Sequence, residues 1–350
     1  MRGTAFLVPG RLDARTGGSI YDRRMVDGLR QRGWRVEVHE LDESFPYPMP
    51  AALDRARHVL ASLPRGTSVI VDGLAFGAMP ALVEREAARL RFVALVHLPL
   101  AATIGLDPAT SHELEASERR ALAVAGLVIV SGTATMSLLA QYDVAQDKVV
   151  VIEPGTDRVP LSRGSGDSTP QLISVATLNP GKGHEILFRA LAAIRHTNWH
   201  LTCVGSTRHA PTVDRLRTLL RCERLEQRVE LVGELDEAGV AAAYDRADVF
   251  VLATLRETYG MAVAEALARG LPVVSTRTGA IADLVGDEAG LLVPPGNVEA
   301  LTEALSRVLG DTTLRVRLAA GARRVRDRLP GWESAFDRMS AALEQVSTDG

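Results

Sequence analysis

Only two cysteines, Cys203 and Cys222, occur in 350 residues. Two lone thiols build no disulfide framework, so a reducing compartment, most simply the cytoplasm, is expected. No apolar stretch approaches the ~20 residues a membrane helix requires, and the short apolar run after Met1 lacks the length of a signal-peptide core. Stable membrane insertion is therefore not expected. Neither sign of charge dominates: 40 Lys and Arg stand against 43 Asp and Glu, a net charge of −3. Such a chain offers no basic field for nucleic acid. Aromatic residues make up only 4%, which argues against a long stacking surface for carbohydrate. The phosphate-binding signatures Gly-x-Gly-x-x-Gly and Gly-x4-Gly-Lys-[Ser/Thr] are both missing, which disfavours a nicotinamide dehydrogenase and a P-loop enzyme.

What is present is ordinary for a soluble globular protein: 46% hydrophobic and 24% charged residues. The length is too great for one ordinary core and points to two domains. Apolar runs of strand length alternate with helical patterns almost throughout, the mark of βαβ units and parallel sheets. The first half carries strand candidates at Ala5–Val8, Val36–Leu41, Val69–Asp72, Phe92–Val96, Leu127–Val130 and Val149–Ile152. Six more follow at Leu172–Ala176, His200–Val204, Val229–Val232, Val249–Leu252, Pro272–Ser275 and Leu291–Val293. The polar stretch Arg163–Pro170 between the two sets reads as a linker. Pro330-Gly331 then breaks the chain before a last amphipathic helix, Glu333–Val346. The expected fold class is α/β: two Rossmann-like, doubly wound domains facing a cleft at their strand ends. The first would span 1–162, joined by the returning segment 332–350, and the second 171–330.

The segment from Val249 to Ser275 concentrates the chemistry. It reads as a buried strand, a polar loop, a helix start at Gly260 and a second buried strand. Seven residues separate Glu257 in the loop from Glu265, about one turn inside the helix. A helix N-terminus suits an anion such as a diphosphate, while carboxylates accept hydrogen bonds from sugar or ribose hydroxyls. Lys182, between Gly181 and Gly183 in a loop before another helix, can reach a phosphate as a point charge. Gly17 and Gly18 precede a helix after the first strand and permit close approach of a ligand to the backbone. His97 ends the fourth strand. Arginines 11, 15, 23 and 24 suit an acidic acceptor or simply a solvated helix start. His196 and His200 have no acidic ligand nearby in sequence, and Asn198 and Trp199 interrupt the helix pattern between them, so no metal site is expected there.

This set resembles the Glu-x7-Glu motif of retaining glycosyltransferases of group 1, or family 4, with the GT-B fold. The resemblance implies a metal-independent transfer of a sugar from a nucleotide-sugar, with UDP the expected nucleotide, to a small-molecule or lipid-linked acceptor. It implies catalytic roles for His97 at the donor sugar, Lys182 at the phosphates and Glu257 at the sugar hydroxyls. Glu265 would accept from the ribose, and Gly17 and Gly18 would face the leaving group. The donor would also be lined by Tyr259, Gly260, Met261 and Ala262, and its base by the turn ending at Leu235. Thr177 occupies the position of the family's arginine, so one expected phosphate cation is missing; Arg256 and Arg277 are candidates to replace it. No cofactor is expected, and no metal, because Asp-x-Asp is absent. A nucleotide-sugar epimerase of the same architecture and a non-catalytic binding protein are the alternatives.

Overall fold

The protein is described by a computed structural model covering residues 2–348. It divides into two units, one formed by residues 1–155 and 331–350 and the other by Thr156–Pro330.

Six strands build the first unit's sheet: β1 (Gly3–Pro9), β2 (Arg35–Leu41), β3 (Ser68–Asp72), β4 (Arg91–Val96), β5 (Leu127–Val130) and β6 (Val149–Val151). They are all parallel, in the order β2-β1-β3-β4-β5-β6. Central strands read as unbroken apolar runs because helices cover both faces; every residue of β3 and β5 is buried. The second sheet contains β7 (Gln171–Val175), β8 (His200–Val204), β9 (Val229–Gly233), β10 (Val249–Leu252), β11 (Val273–Thr276) and β12 (Gly290–Val293). Its order is β12-β11-β10-β7-β8-β9, again parallel throughout. Along β10, Val249 and Val251 enter one core with Phe188, Leu191 and Trp199, while Phe250 and Leu252 enter another with Tyr244, Val263 and Leu267. This alternation follows the two-residue period of a strand.

All twelve expected strands are present. The helix Pro50–Ser62 was not foreseen, and its burial explains why: its inward face is made of Ala52, Ala56 and Leu60, two of them too small to give a strong apolar stripe. The expected linker is corrected. The boundary falls at 155/156, and Arg163–Gly166 is docked on the second unit. There Arg163 Nε donates to Asp245 at 2.7 Å, and Asp248 accepts from Ser165 N and Oγ at 3.0 and 2.7 Å. Turn-forming residues here satisfy carboxylates rather than span a gap.

The final helix, Trp332–Thr348, packs on the first unit's helix Gly17–Gln31. A Cβ at Gly28 would lie 2.2 Å from the Phe336 ring, so only glycine admits that ring. Arg32 pairs with Glu333 and Asp337 at 2.9 and 2.7 Å, and Trp34 Nε1 donates to Ser340 Oγ at 2.9 Å. Residues 349 and 350 of the expected returning segment lie outside the described residues. Among those described, no helix is long and apolar enough to cross a membrane.

Candidate functional site

In open parallel sheets, ligands gather at the carboxyl ends of strands where the winding direction reverses. The first sheet reverses between β1 and β3, and the second between β7 and β10. Most of the candidate residues lie on the loops and helices that follow these strands; His97 follows β4, Leu235 β9 and Arg277 β11.

In the second unit, the loop after β7 holds Thr177 and Lys182, and the loop after β10 holds Arg256 and Glu257. Lys182 Nζ and Glu257 Oε2 meet at 2.6 Å across the reversal, with side-chain exposures of 27% and 15%. The pair is thus covered enough to escape full solvent screening and open enough to meet a ligand. Lys182 closes a short 3-10 turn, Pro180–Lys182, whose start is capped by Asn179 Oδ1 accepting from Lys182 N at 3.2 Å. Gly183 follows in the left-handed region, where a Cβ would lie 2.0 Å from the Ala253 carbonyl oxygen. The β7 loop is therefore pressed against the β10 loop, which brings the lysine to the glutamate. Thr177 is half-buried.

Gly260, with φ of +99°, begins the helix Met261–Ala268 without a side-chain cap. Three other helices of this unit are capped by Asp236, Asn297 and Asp311, whereas the helices His184–Ala193 and Ile281–Val285, like this one, have no side-chain cap. The first-turn N–H groups of Met261 and Ala262 consequently have no capping side chain and suit an anion. Glu265 lies one turn further on and accepts from the Tyr244 hydroxyl at 3.2 Å, which also donates to the Ala262 carbonyl at 3.2 Å. Arg269 covers the Tyr244 ring at 4.4 Å. Tyr244 was not foreseen: it reads as an ordinary core aromatic, and the pairing depends on contact between two helices. Tyr259 turns inward, only 4% exposed, so its side chain belongs to the core and only its backbone faces the loop. Leu235 is half-buried beyond the end of β9, against the same core. Arg277 lines a cavity of about 410 Å³ with Asp287, Glu303 and Arg307, none of them a candidate. His184, at the start of the helix after Gly183, is buried with neither ring nitrogen hydrogen-bonded. Burial, aided by the Lys182 charge, lowers it to about 4.

In the first unit, Gly17 and Gly18 open the helix rather than precede it, because Thr16 Oγ1 caps the helix by accepting from Ser19 N at 3.2 Å. The two glycines differ. A Cβ at Gly17 would meet nothing within 4 Å, whereas one at Gly18 would lie 3.2 Å from His97 Cδ2. His97 leaves the end of β4 and is gripped on several sides. Its Nε2 lies 3.0 Å from Asp22 Oδ1 and 3.5 Å from Asp72 Oδ2. The Tyr21 ring meets it edge-on at 5.2 Å, and its carbonyl accepts from Thr135 Oγ1 at 3.0 Å. Asp22 and Asp72 are buried, and neither belongs to a sequence motif that would single it out. Burial pushes Asp72 up to about 7, reinforced by Asp22 and opposed by His97. For His97 burial disfavours the charged ring, yet Asp22 and Asp72 outweigh it and hold the imidazole above its usual value. Donor atoms of these three residues fall within 4.8 Å of one another, as in no other such group among the described residues. The short Nε2–Oδ1 contact marks His97 and Asp22 as a hydrogen-bonded pair, with Asp72 alongside at 3.5 Å. Of the arginines near the first strand, Arg11 is committed to Asp13 at 2.8 and 2.6 Å, and Arg24 lies 5.5 Å from the centre of the Trp332 ring.

Comparison with known proteins bears on both units. Residues 169–311 match the family described as Glycosyl transferases group 1. The chain is 26% identical over 318 residues to an MMP alpha-(1->4)-mannosyltransferase of Mycolicibacterium hassiacum, covering 86% of this chain and 76% of that protein. It is 28% identical over 204 residues to a D-inositol 3-phosphate glycosyltransferase of Corynebacterium glutamicum, covering 53% of this chain and 49% of the relative. Identity to a phosphatidyl-myo-inositol mannosyltransferase of Mycobacterium leprae is 32% over 216 residues, covering 56% of each. The chain thus spans about half the length of these last two. Among solved structures, a sucrose-phosphate synthase of Thermosynechococcus elongatus superposes with a TM-score of 0.82 at 21% identity, over 99% of this chain and 100% of that one. Anabaena Alr3699/HepE in complex with UDP-glucose gives 0.76 at 18% identity, over 97% and 99%. These likenesses establish the GT-B fold.

Proposed function

We propose that this chain, whose residues 169–311 match the glycosyl transferases group 1 family, transfers a sugar from a nucleotide-sugar to an alcohol acceptor with retention of anomeric configuration. The observation that carries the reading is the Lys182–Glu257 pair across the β7/β10 reversal, beside the uncapped helix start at Gly260.

In this reading the donor diphosphate takes the N–H groups of Met261 and Ala262 together with the Lys182 ammonium. Preorganised donors aimed at charge that develops on the leaving group supply much of a transferase's rate. Ligand entry frees Glu257 from Lys182 to accept from sugar hydroxyls, and Glu265, steadied by Tyr244, accepts from the ribose. His97 is assigned to the donor sugar. The acceptor oxygen attacks C1 on the face from which the diphosphate departs; the C1–O bond to phosphate breaks, and the leaving oxygen takes the acceptor's proton. The absence of Asp-x-Asp supports transfer without a metal. The UDP-glucose named for the Anabaena protein supports a UDP-linked donor. The inositol-linked names of two relatives support a polyol acceptor, free or lipid-borne.

Thermal shift with UDP-, GDP- and ADP-sugars tests the reading. A ligand at a hundredfold its Kd adds about 2.7 kcal/mol to stability, and the UDP-sugar is expected to give the largest shift, with or without chelator. No shift with any nucleotide-sugar would overturn the reading, and a strict need for magnesium or manganese would overturn its metal-free part.

A further inference from the structure

The first unit buries two carboxylates against one histidine at its own strand reversal. Asp22 comes from the helix Gly17–Gln31, Asp72 from the end of β3, and His97 from the end of β4. Asp22 and Asp72 have side-chain exposures of only 3% and 4%, against 22% for His97. Two ionised carboxylates packed together out of water repel each other, and burying even one without a partner is costly. The cluster is balanced only when at least one positive charge or proton resides in it. The imidazole supplies it, with Nε2 directed at Asp22 and Asp72 alongside. Asp72 is fixed from the other side, where its Oδ1 accepts from Leu74 N at 2.8 Å.

We infer that Asp22 and Asp72 are positioning residues that clamp Nε2 of His97, holding the ring as a charged donor and leaving Nδ1 as the ring nitrogen offered to a ligand. The inference rests on the proposed function only in assigning that ligand as the donor sugar. The clamp itself rests on geometry: three elements converge on one ring, Tyr21 closes one edge, and Gly18 permits the approach where a Cβ would crowd Cδ2. The titratable groups facing the ring from the helix Gly17–Gln31 and from β3 are Asp22, Tyr21 and Asp72; Thr135, from the helix Thr133–Leu139, adds a hydroxyl to the carbonyl. A carboxylate that fixes one nitrogen of an imidazole also fixes which proton the other presents. The two carboxylates are not equivalent: Asp22 makes the shorter contact, so its removal has the larger effect.

Titration of isotopically labelled histidine by NMR in the full chain tests the clamp, with the His97 signal assigned by its loss in His97→Asn. In the unaltered protein His97 is expected to remain protonated above the ordinary histidine range. In Asp22→Asn its midpoint falls by at least one pH unit, and in Asp72→Asn it falls by less. Where transfer can be measured, Asp22→Asn lowers kcat at least tenfold and moves the alkaline limb of its pH profile by the same amount. UDP affinity stays within twofold, because the nucleotide residues are on the other unit. A His97 midpoint at or below the ordinary value in the unaltered protein overturns the clamp even if the variants fail to fold. So does an unchanged midpoint in Asp22→Asn. Selective broadening of the His97 signal by micromolar manganese would show a metal centre and overturn it as well. If His97 titrates as expected and no nucleotide-sugar supports transfer, the clamp stands and the proposed function falls.

Discussion

The two units share a construction and differ in where the winding turns back. Counted within each unit, the first sheet runs 2-1-3-4-5-6 and the second 3-2-1-4-5-6, so the reversal lies between strands one and three in one and between one and four in the other. Each reversal gathers charge, but of a different kind. In the first unit Asp22 and Asp72 are buried with His97 and serve the protein's own ring. In the second, Lys182 and Glu257 form a partly exposed ion pair, with Glu257 also accepting from Thr258 N at 3.3 Å, beside a helix start with no side-chain cap. The first arrangement surrounds one ring; the second leaves an ion pair partly open to solvent, which the proposed function assigns to an external anion. A shared topology thus supplies the location, and burial decides what the location does.

The comparison breaks most readily at the packing that completes the first unit. Phe336→Ala removes a ring seated against Gly28 and stacked at 5.9 Å on Trp332, and loss of a buried phenyl costs about 3–5 kcal/mol. Denaturant unfolding is expected to show that loss, with hydrogen exchange placing it in the first unit's sheet; equal loss of protection in both sheets would mean the units are not independent in stability.

Lys182→Ala sharpens the other side. Losing a preorganised cation at the leaving group is expected to slow transfer by about 10²–10³-fold, or roughly 2.7–4 kcal/mol, and leaves Glu257 without its charged partner. Single-turnover kinetics with a saturating donor would measure it, and a rate within threefold of the unaltered protein would remove Lys182 from the chemistry.

A smaller effect separates the units by pH. In the first, burial raises Asp72 to about 7, and likewise Glu118, buried in the helix Pro108–Ala123 where it accepts from Leu100 N at 2.8 Å, so the folded state binds more protons than the unfolded one between the ordinary carboxylate range and pH 7. Stability of that unit therefore falls as pH rises through this window, and His97, held high, adds to the fall above its ordinary value. His184 in the second unit is lowered to about 4, so its stability is lost as pH drops from the ordinary histidine value toward 4 and recovers as pH rises. Between pH 5 and 6.5 the two sheets are expected to change hydrogen-exchange protection in opposite directions, after correction for intrinsic rates. Parallel changes would contradict the assignment of the buried groups.

Much of this was legible in the sequence, for reasons that differ by residue. Strands such as β3 and β10 are continuous apolar runs bounded by polar turns, so their positions could be read directly. Lys182, Glu257 and Glu265 stood out because glycines and strand ends flanked them. Asp22 and Asp72 did not: a lone aspartate in a helix and another ending a strand have no period and no motif, and only the β1-β3-β4 order brings them to His97. Tyr244 was hidden for the same reason. Arg163–Gly166 misled because glycine and serine signal turns equally well on a docked segment and on a linker.

In the proposed function, nucleotide recognition belongs to the second unit's reversal and ring positioning to the first. Calorimetric titration of UDP into the unaltered protein, Glu265→Ala and His97→Ala tests it most directly. A charged acceptor lost from the ribose is worth about 1.5–3 kcal/mol, so Glu265→Ala is expected to weaken UDP at least tenfold, while His97→Ala leaves its affinity within twofold. Undiminished affinity in Glu265→Ala, or an equal loss in His97→Ala, would contradict the division.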